Sequence, residues 1–103
     1  MLKLKISDTK HVFLTFVHEQ YDTILKDALT GIQLRGITIA KIYANHNDGY
    51  PVGTGVAWCS VHDNFNKAKG RKVALTNALK KTDLTQWERK TLWTEYFTKG
   101  RDH

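Results

Sequence analysis

The stretch VGTGVAWCSVHDNFNKAKGRKVALTNAL, residues 52–79, decides the fold, because its hydrophobic period changes midway. Over 52–60, Val52, Thr54, Val56 and Trp58 point to one face, the two-residue period of a strand. Gly53 and Gly55 fall on the other face, where a helix or a ligand can approach the backbone closely. From Asp63 the spacing changes to three and four. Phe65, Ala68, Leu75 and Leu79 then form one apolar stripe, with Ala74 and Ala78 beside it, which predicts a helix over 64–81. Asp63 or Asn64 is placed to cap it. Gly70 weakens the first turns by about 1 kcal/mol relative to alanine, so the regular helix is expected to begin only there.

Upstream, the chain reads as strands. Leu2, Leu4 and Ile6 alternate with lysines, Ser7, Asp8, Thr9 and Lys10 carry turn chemistry, and HVFLTFV (11–17) is β-branched and aromatic, so a hairpin is expected over 2–17. Residues 19–31 are two-sided. Tyr21, Ile24, Leu25 and Ala28 have helical spacing, but DALTG (27–31) suits a turn, and the strand-like run 32–44 favours strand–turn–strand. NHNDG (45–49) is the strongest turn signal and joins strand 37–44 to strand 52–60. Downstream, Thr85 and Glu88 have capping-box spacing and open a second helix over 85–99, with Leu92, Trp93, Tyr96 and Phe97 on one face and a stop near Gly100. Strands followed by helices predict an α+β domain over 1–103, with an antiparallel sheet of about four strands and two C-terminal helices packed on one face.

Composition narrows the class. Cys59 is the single cysteine, so no internal disulfide forms, which favours a reducing, cytoplasmic setting. Residues 1–6 alternate apolar and basic side chains instead of forming the apolar core of a signal peptide, and no apolar run is long enough for a membrane span. The net charge of +6 is unevenly placed. Residues 1–65 hold six Lys/Arg and six Asp/Glu, whereas residues 66–103 hold ten Lys/Arg and four Asp/Glu, so the whole excess lies in the C-terminal part. Such asymmetry points to an anionic partner, nucleic acid being the commonest; solubility is the plainer use of the same charge.

Candidate binding residues follow from that excess. Lys67, Lys69, Arg71 and Lys72 open the first helix, where unpaired N–H groups favour phosphate and where basic side chains oppose the macrodipole. Lys72 falls within the apolar stripe, either snorkelling along the core edge or lining a groove. Lys80, Lys81, Arg89 and Lys90 extend the basic set. Trp87 lies roughly opposite the Leu92/Trp93/Tyr96/Phe97 face, so it either covers the inter-helix turn through Leu84 or stacks on a base or anchors a protein partner.

Catalysis is not expected. Cys59, His62 and Asp63 have the residue types of a nucleophilic triad, but residues 59 and 62 would have to meet across a tight turn, and a buried or capping role accounts for them. Histidines 11, 18, 46, 62 and 103 lack metal-ligand spacing, and His46, Asn47 and Asp48 are followed by no second histidine in frame. No phosphate-loop or dinucleotide fingerprint is present, so no cofactor is expected.

Residues 55–75, with Cys59-Ser60, Asp63-x-Phe65 and Gly70-Arg71-Lys72 leading into Ala74-Leu75, resemble a pattern in small phage and mobile-element proteins of unassigned function. The resemblance implies a phage-type accessory protein acting on host defence or nucleic-acid metabolism, and supplies no catalytic residues. The run from strand through loop to a lysine-rich helix start is also similar to the back half of double-stranded-RNA-binding domains, with Lys67, Lys69, Arg71 and Lys72 on comparable ground. The chain departs from them in lacking a clear N-terminal helix and in adding an aromatic helix. The expected function is nucleic-acid binding, to DNA or RNA, through a basic C-terminal helical face. The rival is a protein-binding inhibitor or adaptor that meets an acidic surface on a host-defence or nucleic-acid enzyme.

Overall fold

Alternation in the first half builds a sheet whose apolar face the two helices cover. The computed structural model describes residues 2–26, 33–44, 49–60 and 67–99. Strands β1 (Leu2–Lys5), β2 (His11–Lys26), β3 (Gln33–Tyr43) and β4 (Gly53–Ser60) pair antiparallel in chain order, followed by helices α1 (Lys67–Leu79) and α2 (Gln86–Lys99). The α+β class expected from the sequence is the fold observed. Leu2 pairs with Leu14, Leu14 with Ile42 and Ile42 with Gly53, which puts these positions on one face of the sheet. That face supplies Leu4, Val12, Leu14, Ala40 and Ile42 to a core closed by Ala74, Leu75, Ala78 and Leu79 of α1, by Leu84, and by Leu92 and Tyr96 of α2. α1 lies over β3 and β4, and α2 over β1. Among the described residues, no helix packs on the opposite face, which carries Val17, Val56 and Trp58.

The first hairpin closes through the expected turn, where the Ile6 and Ser7 N–H groups donate to the Lys10 carbonyl and Lys5 pairs with Asp8 at 3.6 Å. Residues 19–26 continue as strand, with a register shift between Gln20 and Leu25. Pairing with β3 thus overrides the helical spacing of Tyr21, Ile24 and Leu25. Residues 27–32 and the expected 45–48 turn lie outside the described residues.

α1 differs from expectation in three respects. It ends at Leu79 instead of residue 81, while Phe65 and the capping candidates Asp63 and Asn64 lie outside the described residues. Ala68 is exposed instead of belonging to the buried stripe, because the helix meets the sheet only from Gly70 onward. Gly70 does not delay the helix; it sits within the first turns because the Thr38 side chain packs against it, and an added Cβ would lie 2.5 Å from Thr38 Oγ1. α2 begins as expected. Thr85 N–H donates to Glu88 Oε1 at 3.0 Å and Glu88 N–H to Thr85 Oγ1 at 3.1 Å. Its buried stripe is narrower than the sequence pattern: Leu92 and Tyr96 are buried, Trp93 is half-buried and Phe97 is 50% exposed. β1 is only four residues long, so the sheet beneath α2 has little width to cover.

Gly53 and Gly55 set how closely α1 approaches β4. A Cβ on Gly53 would lie 2.5 Å from the Ala78 carbonyl oxygen, and one on Gly55 would overlap the Ala74 carbonyl and the Ala78 backbone nitrogen. Helix backbone therefore rests on strand backbone with no side-chain layer between them. Asn77 Nδ2 fixes the contact by donating to the Val56 carbonyl on this edge strand at 2.8 Å. Gly55→Ala is expected to cost about 3 kcal/mol or more, at the upper end of overpacking, since backbone cannot rotate away. Gly49→Ala, with nothing within 4 Å, should stay within about 0.5 kcal/mol of the parent. Urea unfolding of the two variants checks the contrast.

Candidate nucleic-acid interface

α1 and α2 treat their own dipoles in opposite ways. α2 carries Glu88 in its first turn and Lys99 in its last, the arrangement that a helix macrodipole favours. α1 opens on Lys67, Lys69, Arg71 and Lys72, with no acid in its first turn and no cation in its last. The packing of α1 explains where these side chains go. Ala74 and Ala78 face β4, so positions 69, 72, 76 and 80 turn outward at 100° per residue, and all four are exposed. Residues 67 and 71 sit on the inner side of the helix, near His18 of β2.

The expected site residues fall into two groups. Lys67, Lys69, Arg71 and Lys72 gather at the start of α1. Lys80, Lys81, Arg89 and Lys90 gather around the turn that joins the helices, about 12 Å further along α1 at 1.5 Å per residue. Arg89 is engaged locally: Nη2 donates to the Thr82 carbonyl at 3.4 Å, while its Nε is buried without a hydrogen bond among the described residues. In the helical layer Lys10 pairs with Glu88 at 3.5 Å and Lys99 with Glu95 at 3.7 Å. Among the described residues, Lys67, Lys72, Lys80, Lys81 and Lys90 form no ion pair. Among the described residues Lys72 meets no carboxylate; it is exposed, with Nζ 5.5 Å from the centre of the Phe97 ring. Trp87 is 63% exposed, and Leu84 is buried in the core.

Beside the α1 start lies a polar pair that the sequence reading did not single out. His18 and Thr38 face each other across β2 and β3, on the same side as the core, with His18 Nδ1 and Thr38 Oγ1 hydrogen-bonded at 2.9 Å. Burial, and then the positive charges of Arg71 and Lys67, hold the His18 ring below its ordinary 6.5. A histidine at an inward strand position opposite a threonine was the available signal, but it becomes visible only once the β2–β3 register is known.

Cys59 is half-buried on β4, and His62 and Asp63 lie outside the described residues. Among the described residues no three His, Cys, Asp or Glu side chains gather as metal ligands, and no helix is long and apolar enough to cross a membrane.

The lowered His18 pKa has a consequence for stability. The unfolded ring takes up protons near 6.5 and the folded ring only at lower pH, so stability falls as pH drops through and below 6.5. His18→Gln is expected to flatten this dependence, as measured by urea midpoints between neutral and mildly acidic pH. The Thr85–Glu88 box acts lower on the scale. The Thr85 backbone hydrogen bond, chiefly, holds the Glu88 carboxyl below its ordinary 4.5, so its contribution is full above 4.5 and fades as pH falls beneath it. Glu88→Gln, which takes away the titrating carboxyl itself, should remove this second limb while leaving the first.

No protein-family model, no curated protein and no solved structure matches the chain, so its functional reading rests on the geometry of the helical layer.

Proposed function

We propose that the chain binds nucleic acid by its phosphates through the helical layer, with Lys67, Lys69, Arg71 and Lys72 as the principal grip. Lys80, Lys81 and Lys90 extend the grip around the inter-helix turn. The observation that carries this reading is the inverted charge of α1. Lys67 and Lys69 stand in the first described turn of the helix, at about 0.3–1 kcal/mol each where exposed, Arg71 and Lys72 follow in the next, and Lys67–Leu79 contains no acid. α2 shows that helices of this chain can follow the dipole, so the cluster is not a general habit of its composition. A phosphate at this end would relieve the field of the cluster and meet the positive end of the helix dipole together. Arg89 belongs to the turn and is left out of the grip.

The rival reading, an inhibitor or adaptor that grips a protein, is favoured by one feature, the 63% exposure of Trp87 away from the buried Leu92 and Tyr96. A partner that is retained from nuclease-treated lysate and lost in Trp87→Ala would support it.

Fluorescence anisotropy with a labelled oligonucleotide at several salt concentrations tests the phosphate grip. Four phosphate contacts give a slope of log K against log salt of about −3 on a single strand, and a flat response rejects the reading. Lys67→Glu with Lys69→Glu should weaken binding and reduce the slope. The same pair should leave the protein as stable as the parent or raise its stability slightly, because acids suit a helix start. Binding should also draw the His18 pKa back up towards 6.5, as seen by NMR, because phosphate offsets the Arg71 and Lys67 charges.

A further inference from the structure

The outer face of α2 carries two rings beside the cationic start of α1. Lys90, Trp93 and Phe97 lie at i, i+3 and i+7, and so share one side of the helix. Trp93 and Phe97 are stacked, with centroids 5.6 Å apart and planes at 25°. Beneath them Tyr96 is buried; it meets Trp93 edge-on at 5.7 Å and Phe16 of β2 at 6.0 Å, so the outer rings rest on core. Phe97 remains 50% exposed, with the Lys72 ammonium 5.5 Å from its centre. The strip therefore runs from Lys90 through two flat rings to Lys72, cation to cation.

We propose that this strip is a stacking platform for unpaired bases, and that the anionic partner is single-stranded nucleic acid. The inference rests on the phosphate-binding reading above and names its substrate class. Duplex DNA or RNA presents phosphates to a cationic surface but keeps its base faces stacked inside, where an exposed phenyl ring cannot reach them. An unpaired strand offers both groups, and a ring flanked by ammonium groups meets both. Every base has a flat face, so the platform is tolerant of sequence. Lys72, which is exposed, exchanges the ring for a phosphate when a base arrives. An acidic protein surface would use Lys72 and Lys90 but gains nothing particular from the flat face between them.

The test compares a labelled oligothymidylate with a labelled hairpin duplex, against the parent and three variants at position 97. The parent is expected to bind the single strand more tightly than the duplex. Phe97→Ala should lose roughly ten-fold or more in single-strand affinity and little for the duplex. Phe97→Trp should restore the single-strand affinity, whereas Phe97→Leu, which keeps apolar bulk without a π face, should not. Lys67→Glu with Lys69→Glu should weaken both ligands. Equal affinity of the parent for both forms, an unchanged Phe97→Ala, or rescue by leucine overturns the stacking platform while leaving the phosphate grip standing. A salt-independent response to both ligands, or no binding of either, ends both readings.

Discussion

The contact between the backbone of α1 and the backbone of β4 is the constraint on which the rest of the structure depends. Gly53 and Gly55 remove the side-chain layer that ordinarily separates a helix from a sheet, and Ala74 and Ala78 complete the fit from the helix side. Once that face is committed to the sheet, helical geometry directs positions 69, 72 and 80 outward. Gly70 repeats the device one turn from the helix start, against Thr38, and so brings Lys67 and Arg71 to the His18–Thr38 pair. Position of charge is thus a result of packing, not of the charges themselves. The cations are held where the glycines put them.

α2 closes the other half of the sheet by ordinary means. A capping box fixes its start, Lys10 reaches Glu88 from the β1–β2 turn, and Leu92 and Tyr96 fill the space above a short edge strand. Its remaining aromatics spill beyond the core. Trp93 and Phe97 are supported from below by Tyr96 and turned towards the α1 start, so one helix supplies cations and the other supplies rings at the same corner of the molecule.

Much of this architecture could be read from local pattern. The change of period between residues 60 and 67, the turn at 7–10 and the Thr85–Glu88 box are short-range signals, and each has its counterpart in the fold. Gly53 and Gly55 were legible as a place of close approach, though not which of helix or ligand would take it. Long-range register was out of reach. The burial of Ala74 and Ala78 in place of Ala68, the contact of Gly70 with Thr38, and the nearness of His18 to Arg71 all depend on how β3 lines up with its neighbours. The eight cations looked like one face because sequence lists them in order; in space the inter-helix turn claims Arg89, and the length of α1 separates the two groups. The exposure of Phe97 was hidden for a related reason, since spacing alone gives the width of an apolar stripe but not the width of the sheet beneath it.

The bare contact between α1 and β4 has a mechanical side. A helix seated on interlocking side chains can roll or slip by exchanging rotamers, but one seated on a strand's own backbone and pinned through Asn77 has no such slack. Its outward lysines accordingly hang from a stiff rail, and the freedom lost when they close on a ligand is that of their own flexible stems alone. Shape is written in residues that admit no replacement, charge in residues that could trade places, and so the scaffold could be refitted for a different anion without being rebuilt.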